Sequence, residues 1–370
     1  MYKNYLIISI SILLSQNLNA LDIDTIYVDS SALLLEERFQ DSIHLLNLKN
    51  KKLKQSRDAY NEGVSYFTNL KYLESINSFT RAISIDTMFY EAYFNRAKAY
   101  MQLKQTNNSI NDFKQAFLLD SSNLQSMYNI ALLYKQDLNI DTAYLIYEQI
   151  LSINQREHQA LYEQGVIFFQ KNELYDAIDK FTQSLIIKES AYTFNDRASC
   201  YRKVGRLKDA IDDYNKAISL NENLAFVFNN LASVHRKNAN LSLALKYYSI
   251  AIEKDEMYAL AYNNRGTLYL ELGNDSNALS DFNSAIKINP SYSLAYNNKG
   301  ISYHNQKQYN LAIQAFDKAI SIDINYAIAY LNRGISRQML RDNDGACSDW
   351  KKAENLGLPQ ALKYFYNDCN

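Results

Sequence analysis

Between residues 259 and 292, apolar and small side chains recur at helical spacing twice over. Tyr262, Gly266, Tyr269 and Leu270 fall on one helical face, and Ala278, Phe282, Ala285 and Ile286 do so again after the polar break Gly273-Asn274-Asp275. The pattern predicts two amphipathic helices joined by a tight turn. Most of the chain restates it. At steps of about 34 residues Gly266 maps onto Gly63, Ala97, Ala131, Gly165, Ala198, Ala232, Gly300 and Gly334, while Phe282 maps onto Phe79, Phe113, Tyr147, Phe181, Tyr214, Tyr248, Phe316 and Trp350. Small residues in the Gly266 and Ala278 columns let two helix axes approach, and the ring in the Phe282 column fills the space beyond them. A hairpin of this size cannot bury such a ring alone, so its neighbours must stack on it.

The order Tyr262, Gly266, Tyr269, Ala278, Phe282, Ala285, Pro290 resembles the tetratricopeptide repeat. Tyr262 stands where that family usually has Trp, and Arg265 where it has Leu. The resemblance implies an all-α fold, a right-handed α-solenoid superhelix of helix-turn-helix hairpins with terminal capping helices. Nine repeats are expected, at 56–89, 90–123, 124–157, 158–190, 191–224, 225–258, 259–292, 293–326 and 327–358. The fourth is one residue short, and the deletion is expected in the loop at 188–190.

Residues 1–20 have the plan of a secretory signal: a cation at Lys3, an apolar run over 5–14, and a polar tail ending at Ala20. The run is too short to span a bilayer, which takes roughly 20 apolar residues. A mature chain in the periplasm or outside the cell follows, with no stable membrane insertion once the signal is removed. In 21–55, Leu35, Phe39, Ile43 and Leu46 share one helical face, so this segment is expected to cap the first repeat. At the other end, 359–370 offers Ala361, Leu362, Phe365 and Tyr366 for a capping helix on the ninth repeat. Cys347 and Cys369 would be free to pair in an oxidising compartment, whereas Cys200 reads as a small buried residue.

The formal net charge of -1 gives no field to attract nucleic acid. His44, His158, His235 and His304 are too scattered for a helical metal pair, and no Gly-rich phosphate loop or nucleophile elbow is present. His235 occupies a column otherwise filled by Tyr201 and Tyr269 and reads as a packed ring. No enzyme, cofactor or metal is expected.

Two internal patterns do carry chemistry. Where the seventh residue of a repeat is Arg (Arg96, Arg197, Arg265, Arg333), the twenty-third is Asp (Asp112, Asp213, Asp281, Asp349), which predicts a charge-assisted hydrogen bond between the two helices of a hairpin. The sixth residue is Asn in seven repeats: Asn61, Asn95, Asn129, Asn230, Asn264, Asn298 and Asn332, interrupted by Glu163 and Asp196. Asn195, Asn229, Asn263 and Asn297 add a second row at the fifth position, where Tyr60, Phe94, Tyr128 and Tyr162 stand earlier in the chain.

In the family the first helices line a concave groove, and the resemblance implies an amide ladder there that pairs with the peptide groups of an extended ligand. Capped backbone or plain solvation are the alternative fates of these side chains. Arg202, Lys203, Arg236 and Lys237 could form a basic patch for an acidic segment of a partner. The function expected is a non-enzymatic scaffold for a peptide or protein. A carbohydrate-handling protein using the aromatic half of the groove, or an assembly part that works through its ends, are the alternatives.

Overall fold

The computed structural model describes residues 30–369, with side chains described over 34–364 and at Cys369. The segment 1–20, expected to be a signal, lies outside them, as do the side chains of Phe365 and Tyr366. Every described element is a helix, from Ser30–Thr68 to Gln360–Asp368. The chain divides into two compact units, one ending at Leu133 and the other beginning at Tyr134.

The helix pair Ala259–Glu271 and Asp275–Ile288 shows how the residues build a hairpin. Ala278, Phe282 and Ala285 are fully buried. Phe282 lies on the Gly266 backbone so closely that a Cβ there would sit 2.8 Å from the ring, and Phe79, Phe181, Phe316 and Trp350 lie the same way on Gly63, Gly165, Gly300 and Gly334. The turn is a left-handed residue at the fifteenth position. Gly273 has φ 71°, its N–H donates to Leu270 O, and the N–H of Asn274 donates to Tyr269 O. A positive φ falls at the fifteenth position of all nine expected repeats, yet only Gly205 and Gly273 are glycine there; Leu70, Lys104, Leu138, Asn172, Ala239, Lys307 and Arg341 adopt it with a Cβ.

Between repeats a second turn recurs. The side chains of Asp255, Asn289 and Asp323 each accept from the backbone N–H two residues on, at Met257, Ser291 and Asn325. The connection after the fourth repeat is shorter: one helix ends at Ile187 and the next begins at Ala191, and the Ser190 hydroxyl caps it from Thr193 N.

The second helices Tyr72–Ile85, Leu174–Ile187, Leu207–Leu220, Leu241–Lys254, Asp275–Ile288 and Tyr309–Ile322 each pack between their own first helix and the first helix that follows. First helices also touch directly between the first and second repeats and from the fourth repeat through the ninth, while second helices of successive repeats touch little or not at all. The first helices therefore lie on the inside of each unit's curve, and their outward side chains form its concave face.

The chain ends differ from each other. The last helix packs on the ninth repeat through the fully buried Ala361 and through Tyr364, whose ring centroid is 5.5 Å from that of Trp350. Cys347 and Cys369 are joined as a disulfide with their Cα atoms 5.7 Å apart. At the amino end, the segment expected to fold over the first repeat is from Ser30 onward an unbroken extension of that repeat's first helix. Leu35, Phe39 and Leu46 remain more than half exposed. The apolar spacing was a helical face, and no helix of the described residues covers it.

Candidate functional site

The Arg–Asp pairs are present in all four repeats that carry them. Arg265 Nε and Nη2 donate to the two carboxylate oxygens of Asp281, each at 2.8 Å. The same fork joins Arg96 to Asp112, Arg197 to Asp213 and Arg333 to Asp349. The carboxylates are buried, and each guanidinium uses Nη1 to reach the preceding second helix, at Thr80, Thr182, Ser249 or Asp317. One Arg thus ties three helices together. The hydrogen bond and charge of Asp281 hold the Arg265 pKa above its usual value against the opposing effect of burial.

Repeats without the pair show what else the space accepts. The sixth repeat places a fully buried Leu231 there, whereas the fourth places Gln164, fully buried with neither amide atom hydrogen-bonded. Lys299 holds this column in the eighth repeat, and burial lowers its pKa.

The asparagines form a ladder of a different kind from the one expected. Asn230 Nδ2 donates to Asn195 Oδ1 at 3.0 Å, Asn264 to Asn229 at 2.9 Å, Asn298 to Asn263 at 3.1 Å and Asn332 to Asn297 at 3.0 Å. Each sixth-position amide therefore grips the fifth-position amide of the repeat before it. The fifth-position residues Asn195, Asn229, Asn263 and Asn297 are buried, and Asn229 and Asn297 donate onward to the adjacent Asn230 and Asn298. An amide can donate and accept at once, so a chain of them closes on itself between first helices.

The same contact occurs with other residue types. Asn95 donates to the Tyr60 hydroxyl at 2.7 Å, and the Tyr162 hydroxyl donates to Asp196 at 2.8 Å. Burial raises the pKa of both Tyr162 and Asp196; the Asp196 charge raises Tyr162 further, while hydrogen bonds from Tyr162 and Asn195 pull Asp196 back down. Asn129 instead bonds Gln125 O in its own helix, and Asn61 is exposed.

The rings of the aromatic half are packed rather than open. Tyr60 lies against Phe79 and Phe89, Phe94 against Phe113, and Tyr162 against Phe181. His235 stacks on Tyr247 at an interplanar angle of 13°, and burial lowers its pKa. Cys200 is fully buried, which pushes its thiol up to about 12. Among the described residues no group of three His, Cys, Asp or Glu is placed to hold a metal, and no helix is long and apolar enough to cross a membrane.

Three of the four cations expected in a basic patch meet on the inner face of the second unit. Arg202, Arg236 and Lys237 line an open pocket of about 430 Å³ with Ser233, Tyr248, Asn264 and Glu271. Arg236 is neutralised by a fork onto Glu271, with Nε 2.9 Å from Oε2, and that hydrogen bond raises its pKa. Lys237 Nζ donates to Arg202 O at 3.2 Å, and Arg202 Nε is buried with no hydrogen-bond partner. Lys203 turns away, its Nζ 4.4 Å from the centroid of the Phe169 ring.

Tandem helical hairpins, stapled to one another along their first helices, define a repeat scaffold of the kind that presents a concave surface to other proteins. Residues 191–224, 259–292 and 293–326 match one sequence profile of the tetratricopeptide repeat, and 90–123 match a second. The chain belongs to the tetratricopeptide repeat proteins and is a protein-interaction scaffold in that general sense. No curated protein matches it. Among solved structures it is similar to one titled as the APC/C hetero-tetramer Cut9-Hcn1, at 14% identity and TM-score 0.57, over 85% of this chain and 76% of that one. It is also similar to pilF of Pseudomonas aeruginosa, at 18% identity and TM-score 0.51, over 58% of this chain and 99% of that one. These likenesses concern the fold.

Proposed function

We propose that the chain is an exported scaffold whose second unit receives an extended, acidic segment of a partner protein on its inner face. The observation that carries this reading is the open pocket in which Arg202, Arg236 and Lys237 converge with Glu271 as the one carboxylate of its lining. A carboxylate there would meet the remaining N–H groups of Lys237 and the part of the Arg202 side chain that lines the pocket, with the Ser233 hydroxyl and the half-buried Asn264 alongside. The amide ladder holds the first helices in register, and only its outer edge is left to accept from a ligand's backbone. The signal plan of residues 1–20 and the disulfide of Cys347 with Cys369 both favour an oxidising compartment outside the cytoplasm.

A labelled peptide rich in Asp and Glu provides the test. Binding followed by fluorescence anisotropy should weaken about tenfold or more in the double variant Arg202→Glu, Lys237→Glu. It should also weaken with added salt. Binding that is absent at low salt, or unchanged by the charge reversal, would contradict the proposal.

A further inference from the structure

Beside the cationic pocket, the first helices of the second unit carry an apolar row. The second residue of the repeat is Tyr192, Phe226, Leu260, Leu294 and Ile328 in the fifth to ninth repeats, against Arg57, Glu91, Gln125 and Gln159 in the first four. Tyr192 is 55% exposed and Leu260 40%, Leu294 and Ile328 are exposed to a similar degree, and Phe226 is partly buried. On a helix the second, sixth, ninth and thirteenth positions point within about 60° of one another. Ser233 and Lys237 hold the ninth and thirteenth positions of the sixth repeat and line the cationic pocket, so Phe226 faces the same groove. The row begins in the very repeat that contributes Arg202.

Over the fifth and sixth repeats the groove therefore has two unlike edges. Tyr192 and Phe226 form the apolar edge, stacked with their ring centroids 5.8 Å apart. Arg202 and Lys237 stand at the other edge, roughly 15 Å further along the same two helices. Asn230 and Ser233 make a polar middle between them. An extended chain sends successive side chains to opposite sides, and those on one side recur about every 6.7 Å. Laid across the first helices, such a chain sets one row of side chains on the two rings, close to their own spacing, and the other row toward the cations. We propose that the partner's segment alternates apolar and acidic residues over at least four positions, its apolar side chains on Tyr192 and Phe226 and its carboxylates toward Arg202 and Lys237. Charge decides which row lies where: a carboxylate over the rings would lose water and gain no cation in return. This selectivity rests on the proposed groove function and names the class of segment that the groove admits.

Three labelled peptides of equal length, titrated with the full chain, provide the test. One alternates Leu or Ile with Asp, one holds the same residues in two separate blocks, and one is wholly acidic. The alternating peptide should bind about tenfold more tightly than either of the others. Tyr192→Ser should erase most of that advantage, leave the wholly acidic peptide unaffected and, because the side chain is exposed, leave the helical circular dichroism unchanged. Equal affinity for the alternating and blocked peptides, or an advantage that survives Tyr192→Ser, would overturn the proposal, while binding of the wholly acidic peptide would still support the groove function. Binding by none of the three would end both. The chain's own Leu21-Asp22-Ile23-Asp24, which precedes the described residues, has the same alternation. A dimer in sedimentation that Asp22→Asn with Asp24→Asn dissolves would make a second copy the occupant and overturn the assignment to a partner.

Discussion

Replacing Phe282 by Ala should lower the stability of the second unit by roughly 3–5 kcal/mol, as truncation of a fully buried ring generally does. The ring is not exposed at all and rests on the bare backbone of Gly266, so the space it leaves cannot be filled by a neighbouring side chain moving in. Repeat arrays are stabilised by each unit's contact with the next. The loss should therefore appear as faster amide exchange in the hairpins on either side of 259–292 as well as in that hairpin. Urea denaturation gives the magnitude and hydrogen exchange the extent. A cost below about 1 kcal/mol, or a change confined to the mutated hairpin, would show that the repeats do not share one seam.

Asp281→Ala should cost about 3 kcal/mol, because it strands the mostly buried Arg265 without its carboxylate. Replacing both partners should cost less than replacing Asp281 alone. The sixth repeat supplies the design: Arg265→Leu with Asp281→Tyr copies Leu231 and Tyr247, an apolar solution already used in the same columns. A double-mutant cycle by chemical denaturation measures the coupling. Equal losses from Asp281→Ala and from the double replacement would mean that the fork contributes nothing beyond its packing.

The contrast between these pairs and the asparagines shows what the sequence exposes. Arg and Asp change together within a repeat, so their contact can be read along a single hairpin. The amide contacts run from the sixth position of one repeat to the fifth of the one before. The two columns look independent until Tyr162 with Asp196 is set beside Asn195 with Asn230: the Tyr162 hydroxyl donates to a carboxylate, whereas the Asn195 amide oxygen accepts from an amide. The left-handed turn was hidden for a different reason. Stacking imposes that conformation at all nine places, and residues such as Leu138 and Ala239 adopt it although a Cβ disfavours it, so glycine marks it only at Gly205 and Gly273. At the amino end, periodicity gave the helix and its apolar face, but the spacing of Leu35, Phe39 and Leu46 carries no information about what that face meets.

The claim on which the functional account rests is that the first helices of the second unit, and not the second helices, receive the partner. Hydrogen–deuterium exchange of the full chain with and without the acidic peptide tests it most directly. The account predicts slower exchange in Ala191–Lys203, Ala225–Lys237 and Ala259–Glu271, with Leu207–Leu220 and Leu241–Lys254 unaffected. Protection confined to those second helices, or none on any helix at saturating peptide, would contradict it.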